Sequence, residues 1–372
     1  MLQRILDIDG LQALITVLWK SGREVLGPQV RDGAVVYAPL REVAQLPAGV
    51  VDEQEGGHYR LHPITTPEGL RPLFAHVVGP HSWKRFLHPP EEPLWRAERD
   101  GQGLSIRPAR ADERRYAFLG VRACELAAMA IQDRVLMGGE HLDVTYLRRR
   151  QGLFTVAVNC TRAADTCFCA SMDAGPAVTG GFDLQLTELT AGGRHRFLLE
   201  SGSEAGEKLL EGVPGRDADE ATLEEKAAVL AATVGQLKRA MPAGAAELLA
   251  HSLDASHWES VAARCLHCGN CTAVCPTCFC TRTEERSALD GRNSERWRLQ
   301  DSCFNESFSY IHGGALRRSG AARYRQWITH KLFHWQEQFG SAGCSGCGRC
   351  ITWCPVGIDI TEEVLRLAEQ RA

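Results

Sequence analysis

No excess of positive charge marks this chain: 42 Lys and Arg stand against 46 Asp and Glu, a formal net charge of −4. Nucleic-acid binders ordinarily carry a strong basic excess, so that class is set aside. Long apolar runs are missing too, and nothing in the sequence spans a membrane. The first twenty residues hold Ile5, Leu6, Leu11, Leu14, Ile15 and Leu18, but Asp7, Asp9 and Gln12 interrupt them. That leaves no apolar core for a signal peptide and predicts an amphipathic helix packed on a domain. The expected location is cytoplasmic. There is no low-complexity tract and no run of like charges. Thirteen histidines show no H-E-x-x-H spacing, no G-x-G-x-x-G follows a strand, and no Walker A sequence occurs. The sequence thus offers no flavin or nicotinamide site of its own, and no nucleophile–base pair stands out.

What is plentiful is cysteine, with fifteen in 372 residues. A reducing compartment does not favour disulfides, so metal ligation is the default reading. Cys265, Cys268, Cys271 and Cys275 follow the spacing C-x2-C-x2-C-x3-C, with Pro276 next. Cys344, Cys347, Cys350 and Cys354 repeat it, followed by Pro355. This is the bacterial ferredoxin run, in which the fourth cysteine ligates the other cluster. One [4Fe-4S] cluster would take Cys265, Cys268, Cys271 and Cys354, and the other Cys344, Cys347, Cys350 and Cys275. Zinc is the bland alternative, but it usually takes paired C-x2-C units rather than a three-plus-one run.

Cys124, Cys160, Cys167, Cys169, Cys278, Cys280 and Cys303 lie outside the two runs. Cys124 follows an apolar strand over Tyr116–Leu119, and Cys160 closes another over Leu153–Val158. Cys167 and Cys169 follow in a loop. If the strands are parallel, these four thiols meet at the carboxyl edge of a sheet, where α/β proteins place their sites. They are either ligands of a third [4Fe-4S] cluster or inert buried thiols. Thr277-Cys278-Phe279-Cys280 repeats Thr166-Cys167-Phe168-Cys169 letter for letter. Cys278, Cys280 and Cys303 are one thiol short of a set. They either hold a cluster with a non-cysteine ligand or pack beside the first one. Arg317, Arg318, Arg323 and Arg325 make a basic patch, read as a solvated helix face or a docking surface for an acidic partner.

The expected fold class is α+β. A mixed α/β domain spans residues 1–250, and an α-helical ferredoxin-like domain spans 251–372. Asp32-Gly33 signals a hairpin between Glu24–Val30 and Ala34–Ala38. Cys124–Leu136 has helical spacing between the two apolar strands, which predicts a βαβ unit. Gly202–Asp219 reads as loop, and Leu223–Met241 and Ala245–Ala263 read as helices. The insert from Pro276 to Gly343 separates the cysteine runs. Its helical patterns favour the α-helical ferredoxin arrangement, and Thr361 or Asp359 is the candidate cap of the C-terminal helix.

Several stretches together resemble one family: residues 81–95, 118–136, 158–176, 181–189, 265–280 and 330–360 (HSWKRFLHPPEEPLW, FLGVRACELAAMAIQDRVL, VNCTRAADTCFCASMDAGP, GFDLQLTEL, CLHCGNCTAVCPTCFC, and HKLFHW with CSGCGRCITWCPVGIDI). They are similar to the beta subunit of cytoplasmic NAD(P)-linked nickel–iron hydrogenases (sulfhydrogenases), and equally to the A subunit of anaerobic sulfite reductase. The resemblance implies a subunit with [4Fe-4S] clusters and no catalytic metal. It implies a relay between a partner holding FAD and a [2Fe-2S] cluster and the rest of a complex, either hydrogenase small and large subunits or a sulfite reductase subunit. The family usually has Arg-Pro-Cys-Asp where this chain has Arg122-Ala123-Cys124-Glu125, which puts the role of the acidic residue in doubt. Two competing readings are a reductase with a substrate site in the N-terminal domain and a redox sensor.

Overall fold

The computed structural model describes residues 2–100, 103–109, 112 and 114–370. Tyr116–Val121 and Phe154–Val158 are buried along their whole length and pair in parallel. Unbroken apolar runs of this length suit strands covered on both faces. Helix Ala123–Leu136 crosses between them, so the βαβ unit forms as the pattern predicts. A second helix, Val144–Gly152, brings the chain back to the sheet. Asp143 caps it by accepting a hydrogen bond from the Tyr146 amide.

These two strands lie inside an eight-stranded sheet. Its order is Arg216–Asp217, Gln3–Leu6, Arg196–Ser201, Leu184–Leu189, Phe154–Val158, Tyr116–Val121, Glu24–Arg31 and Ala34–Pro39. The last two form the expected hairpin. Asp32 (φ 50°) and Gly33 (φ 73°) make its turn, and both stand at the positive φ a type I′ turn requires. Helix Ile8–Lys20 covers the sheet through Leu11, Leu14, Ile15 and Leu18, all fully buried.

Two expectations in this half change. The N-terminal helix starts only at Ile8, because Gln3–Leu6 pairs as a strand with Arg196–Ser201 and Arg216–Asp217. Gly202–Asp219 is not all loop: Ser203 caps a helix over Glu204–Glu211, which buries Leu210.

The insert between the cysteine runs departs further from the reading. Thr281–Ser287 and Asn293–Gln300 form a hairpin that extends a four-stranded sheet with Glu91–Asp100 and Gly103–Pro108. The insert thus combines this hairpin with helices Gly320–Thr329 and Trp335–Phe339. The hairpin has no apolar alternation to announce it. Ion pairs Arg298–Glu92, Arg286–Glu91 and Arg96–Glu295 link its strands to Glu91–Asp100 instead.

The expected helix over Leu223–Met241 forms as Glu220–Val234. The one over Ala245–Ala263 splits into Ala245–Ala250 and His257–Arg264. These two pack with Gly320–Thr329 and Ile360–Glu369 around Trp258, Tyr324, Trp327, Val364 and Leu367. Asp359 caps the last helix by accepting from the Thr361 amide. Phe168 and Met241 enter the same core, so the two halves of the chain share packing. Among the described residues no helix is long and apolar enough to cross a membrane.

Candidate metal centres

The two cysteine runs fold into the same loop twice. In each, the third and fifth positions take positive φ: His267 (53°) and Gly269 (71°) in the first, Gly346 (64°) and Gly348 (76°) in the second. Each loop then enters a short helix, Asn270–Ala273 or Arg349–Thr352. The turn aims backbone amides at sulfur. His267 N donates to Cys265 Sγ at 3.4 Å, Gly346 N to Cys344 Sγ at 3.5 Å, and Ile358 N to Cys354 Sγ at 3.3 Å. The second loop must be glycine at two points. A Cβ on Gly346 would lie 2.7 Å from the Cys169 Cα, and one on Gly348 would lie 2.4 Å from the Thr166 carbonyl oxygen.

The fold brings each loop the cysteine that follows the other loop. Cys271 has Cys265, Cys354, Cys275 and Cys268 as its electrostatic neighbours. Cys265, Cys268, Cys271 and Cys354, together with Cys350 of the second run, line one cavity against Phe304, Tyr324 and Trp327. Cys350 has Cys344, Cys275 and Cys347 as neighbours, and also Cys271. The two sets therefore lie side by side. Burial pushes the Cys271 and Cys350 thiols up and carries Cys344 to about 12. Metal ligation requires the thiolate, so bound cations would have to offset this burial.

Cys275 is the exception. The Cys278 thiol donates to it, and Lys331 and Lys84 add positive charge, so Cys275 is held well below the ordinary thiol range despite burial. Its bond to Cys275 and burial push the Cys278 thiol up. Lys331 Nζ donates to Cys275 Sγ (3.3 Å), Thr277 Oγ1 (2.7 Å) and the Gly343 carbonyl (3.2 Å). Burial opposes its charge, but the surrounding sulfurs of Cys275, Cys278, Cys344 and Cys350 outweigh it and hold the ammonium well above the usual lysine range. Lys84 Nζ donates to the carbonyls of Cys275 and Cys278, both at 2.9 Å. Sequence reasoning missed both lysines. Their only trace was a lysine set among apolar and aromatic residues in HSWKRF and HKLFHW.

Cys124, Cys160, Cys167 and Cys169 come together at the carboxyl edge of the two parallel strands. Cys167 has Cys169 and Cys160 as neighbours, and Cys169 has Cys160 and Cys347. Cys124 has Cys347 and Cys169. All four are buried, and Cys124, Cys167 and Cys169 pack beside Val77, Val78 and Ala164. This group therefore abuts the second cysteine loop.

The acidic residue after Cys124 has a clear task. Glu125 pairs with Arg349 at 2.6 Å, both fully buried, and accepts from the Tyr37 hydroxyl at 2.8 Å. Arg349 also donates to the carbonyls of Gly79 and His81. The pair ties the second loop to helix Ala123–Leu136. In the arginine patch, Arg318, Arg323 and Arg325 donate to nearby carbonyls, and Arg317 faces a cavity.

Among the described residues no group of three or more His, Cys, Asp or Glu could hold a metal ion as placed. A four-iron cube spreads its thiolates over four corners, wider than the shell around one ion. All-thiol sets, with amides aimed at their sulfurs, fit such a cube.

Residues 264–358 match the family model described as 4Fe-4S dicluster domain. The match covers both cysteine loops, and similarity extends well beyond it. The chain is 27% identical over 336 residues to Sulfhydrogenase 2 subunit beta of Pyrococcus furiosus, covering 86% of this chain and 91% of that protein. Along most of its length, then, the chain is a relative of a sulfhydrogenase beta subunit. No solved structure matches it.

Proposed function

We propose that this chain is a non-catalytic iron–sulfur subunit that relays electrons between a flavin- and NAD(P)-binding partner and a hydrogenase module. One [4Fe-4S] cluster is held by Cys265, Cys268, Cys271 and Cys354. The other is held by Cys344, Cys347, Cys350 and Cys275. A third is held by Cys124, Cys160, Cys167 and Cys169. The dicluster domain spans most of residues 251–372, and residues 1–250 serve as the docking scaffold.

The observation that carries this reading is the unbroken succession of thiol groups. Cys169 and Cys124 neighbour Cys347 of the second loop, and Cys350 and Cys275 neighbour Cys271 of the first. When bound in these sets, iron–sulfur clusters supply one-electron transfer. The protein's own work is to hold, insulate and bias them. Phe304, Tyr324 and Trp327 cover one side of the first set, and Cys268 stays exposed. Amides of His267, Gly346 and Ile358 direct hydrogen bonds at sulfur, and Lys331 sets a positive charge against the second set. The relative's name, a sulfhydrogenase subunit, favours a hydrogenase module as the terminal partner.

The test is anaerobic purification of the native complex through a tag on this chain. Co-purifying flavoprotein and nickel–iron subunits, with loss of NAD(P)-linked hydrogen turnover when Cys271→Ala is introduced, support the relay. A chain that purifies alone with zinc and no iron or sulfide refutes it. A sirohaem protein in place of the nickel–iron subunits reassigns the relay to sulfite reduction.

A further inference from the structure

Cys278, Cys280 and Cys303 have no part in the sets assigned above, yet they line one cavity of about 390 Å³. His330, Lys331 and Arg317 share its wall. Three thiols and an imidazole around a space of that size, next to two cysteine loops, call for a chemical reason.

Three independent observations bear on that reason. The first is the repeat. Thr166-Cys167-Phe168-Cys169 and Thr277-Cys278-Phe279-Cys280 carry identical residues; the first copy touches the second loop, and the second touches Cys275, which is assigned to the second set. Phe168 N donates to the Gly346 carbonyl at 2.9 Å, and Thr277 Oγ1 lies 3.1 Å from Cys275 Sγ. In the first copy the cysteines meet thiols from two other segments, Cys124 and Cys160. In the second copy the added thiol is Cys303, which hydrogen bonds with Cys280 and neighbours Cys271 of the first set.

The second is the backbone. The helix beginning at Gly320 opens into a π turn over His330–His334 before resuming as Trp335–Phe339. Single π turns inside helices concentrate at functional sites. This one places the consecutive residues His330 and Lys331 on the same cavity wall. The third is the ring environment of the imidazole. Phe279 stands edge-on to His330 with centroids 6.1 Å apart, and Trp335 does so at 5.9 Å. An imidazole held between two rings presents its nitrogens in a fixed direction.

We propose that Cys278, Cys280 and Cys303 bind a further iron–sulfur cluster of the [4Fe-4S] class, whose fourth iron faces the cavity and takes His330 as its ligand. The three thiols bind as thiolates and release their protons, and no electron is exchanged in assembly from a preformed cluster. Its place beside Cys275 and Cys271 makes it a branch from the two dicluster sets toward the cavity. The proposal rests on the relay reading, since it needs those neighbours as electron sources.

The experiment uses the full chain, purified anaerobically, with iron and sulfide counted and EPR spectra recorded on the reduced protein. Cys303→Ala and Cys280→Ser are each expected to lose about four irons and four sulfides per chain, while the signals of the dicluster sets persist. His330→Ala is expected to keep the iron and shift one EPR signal. A chain that keeps its dicluster signals and loses no iron in either cysteine variant overturns this proposal alone. So does a Cys280–Cys303 disulfide found by mass spectrometry in the anaerobic protein. An unchanged spectrum in His330→Ala overturns the assignment of the fourth ligand. A wild-type chain with no iron–sulfur signal at all overturns both this proposal and the relay reading.

Discussion

Replacing Lys331 by methionine removes a buried charge from the edge of the second thiol set while keeping most of the side chain's volume. Its ammonium lies 3.3 Å from Cys275 Sγ and pairs with no carboxylate among the described residues. A cluster held by Cys275 would spread an added electron over its cube, which would put the mean separation on the order of 6 Å. At an effective dielectric near 20, one unit charge at that distance contributes about 3 kcal/mol. For a one-electron couple this is on the order of 100 mV. The sign is fixed: the ammonium favours the reduced, more negative state, so Lys331→Met lowers the potential of the second cluster. Lys84→Met acts in the same direction but more weakly, because its Nζ bonds carbonyls rather than sulfur. The assay is an EPR-monitored redox titration of wild type and both variants at one pH. A potential that stays within about 20 mV of wild type in Lys331→Met refutes the electrostatic argument, as does a rise.

Glu125→Ala strands the buried Arg349 guanidinium and should cost about 3–5 kcal/mol of stability. Glu125→Gln keeps a hydrogen-bond acceptor and should cost less, with both read from guanidinium unfolding midpoints. Gly346→Ala forces a Cβ against Cys169 at a positive φ; it should lower the iron content as well as the melting temperature, which metal analysis and calorimetry check together. Burial, with Arg298 and Lys84 nearby, holds His88 down to about 4, against an ordinary value of 6.5. The unfolded chain therefore takes up this proton first, and the associated stability is lost as pH falls from about 6.5 toward about 4. Unfolding midpoints at pH 5 and pH 7.5 should differ, and His88→Gln should shrink that difference.

The sequence announced whatever depends on local pattern. Tyr116–Val121 and Phe154–Val158 were visible because strands covered on both faces must be apolar throughout. The hairpin turn at Asp32-Gly33 was visible because few residue pairs accept two positive φ values. The two cysteine loops were legible from their repeated local spacing, and the gathering of Cys124, Cys160, Cys167 and Cys169 followed from their places at strand ends. What depends on distant partners stayed hidden. The hairpin of Thr281–Ser287 and Asn293–Gln300 is held by charges on Glu91–Asp100, nearly two hundred residues earlier, and shows no apolar face. Glu125 reads as one more helix acid until Arg349 arrives from the other end of the chain. Lys331 and Lys84 look misplaced among apolar neighbours until Cys275 stands between them. The break at His251–Ser256 and the helix over Glu204–Glu211 turn on caps and short-range packing that period counting overlooks.

The exchange of the fourth cysteine between the two loops is the claim on which the relay depends. An experimental structure of the anaerobic chain, with iron located by anomalous scattering at its absorption edge, tests it directly. Two four-iron cubes are expected, one bound by Cys265, Cys268, Cys271 and Cys354, the other by Cys344, Cys347, Cys350 and Cys275. Cubes that take Cys275 with the first loop and Cys354 with the second, or a single ion in either place, would contradict the account.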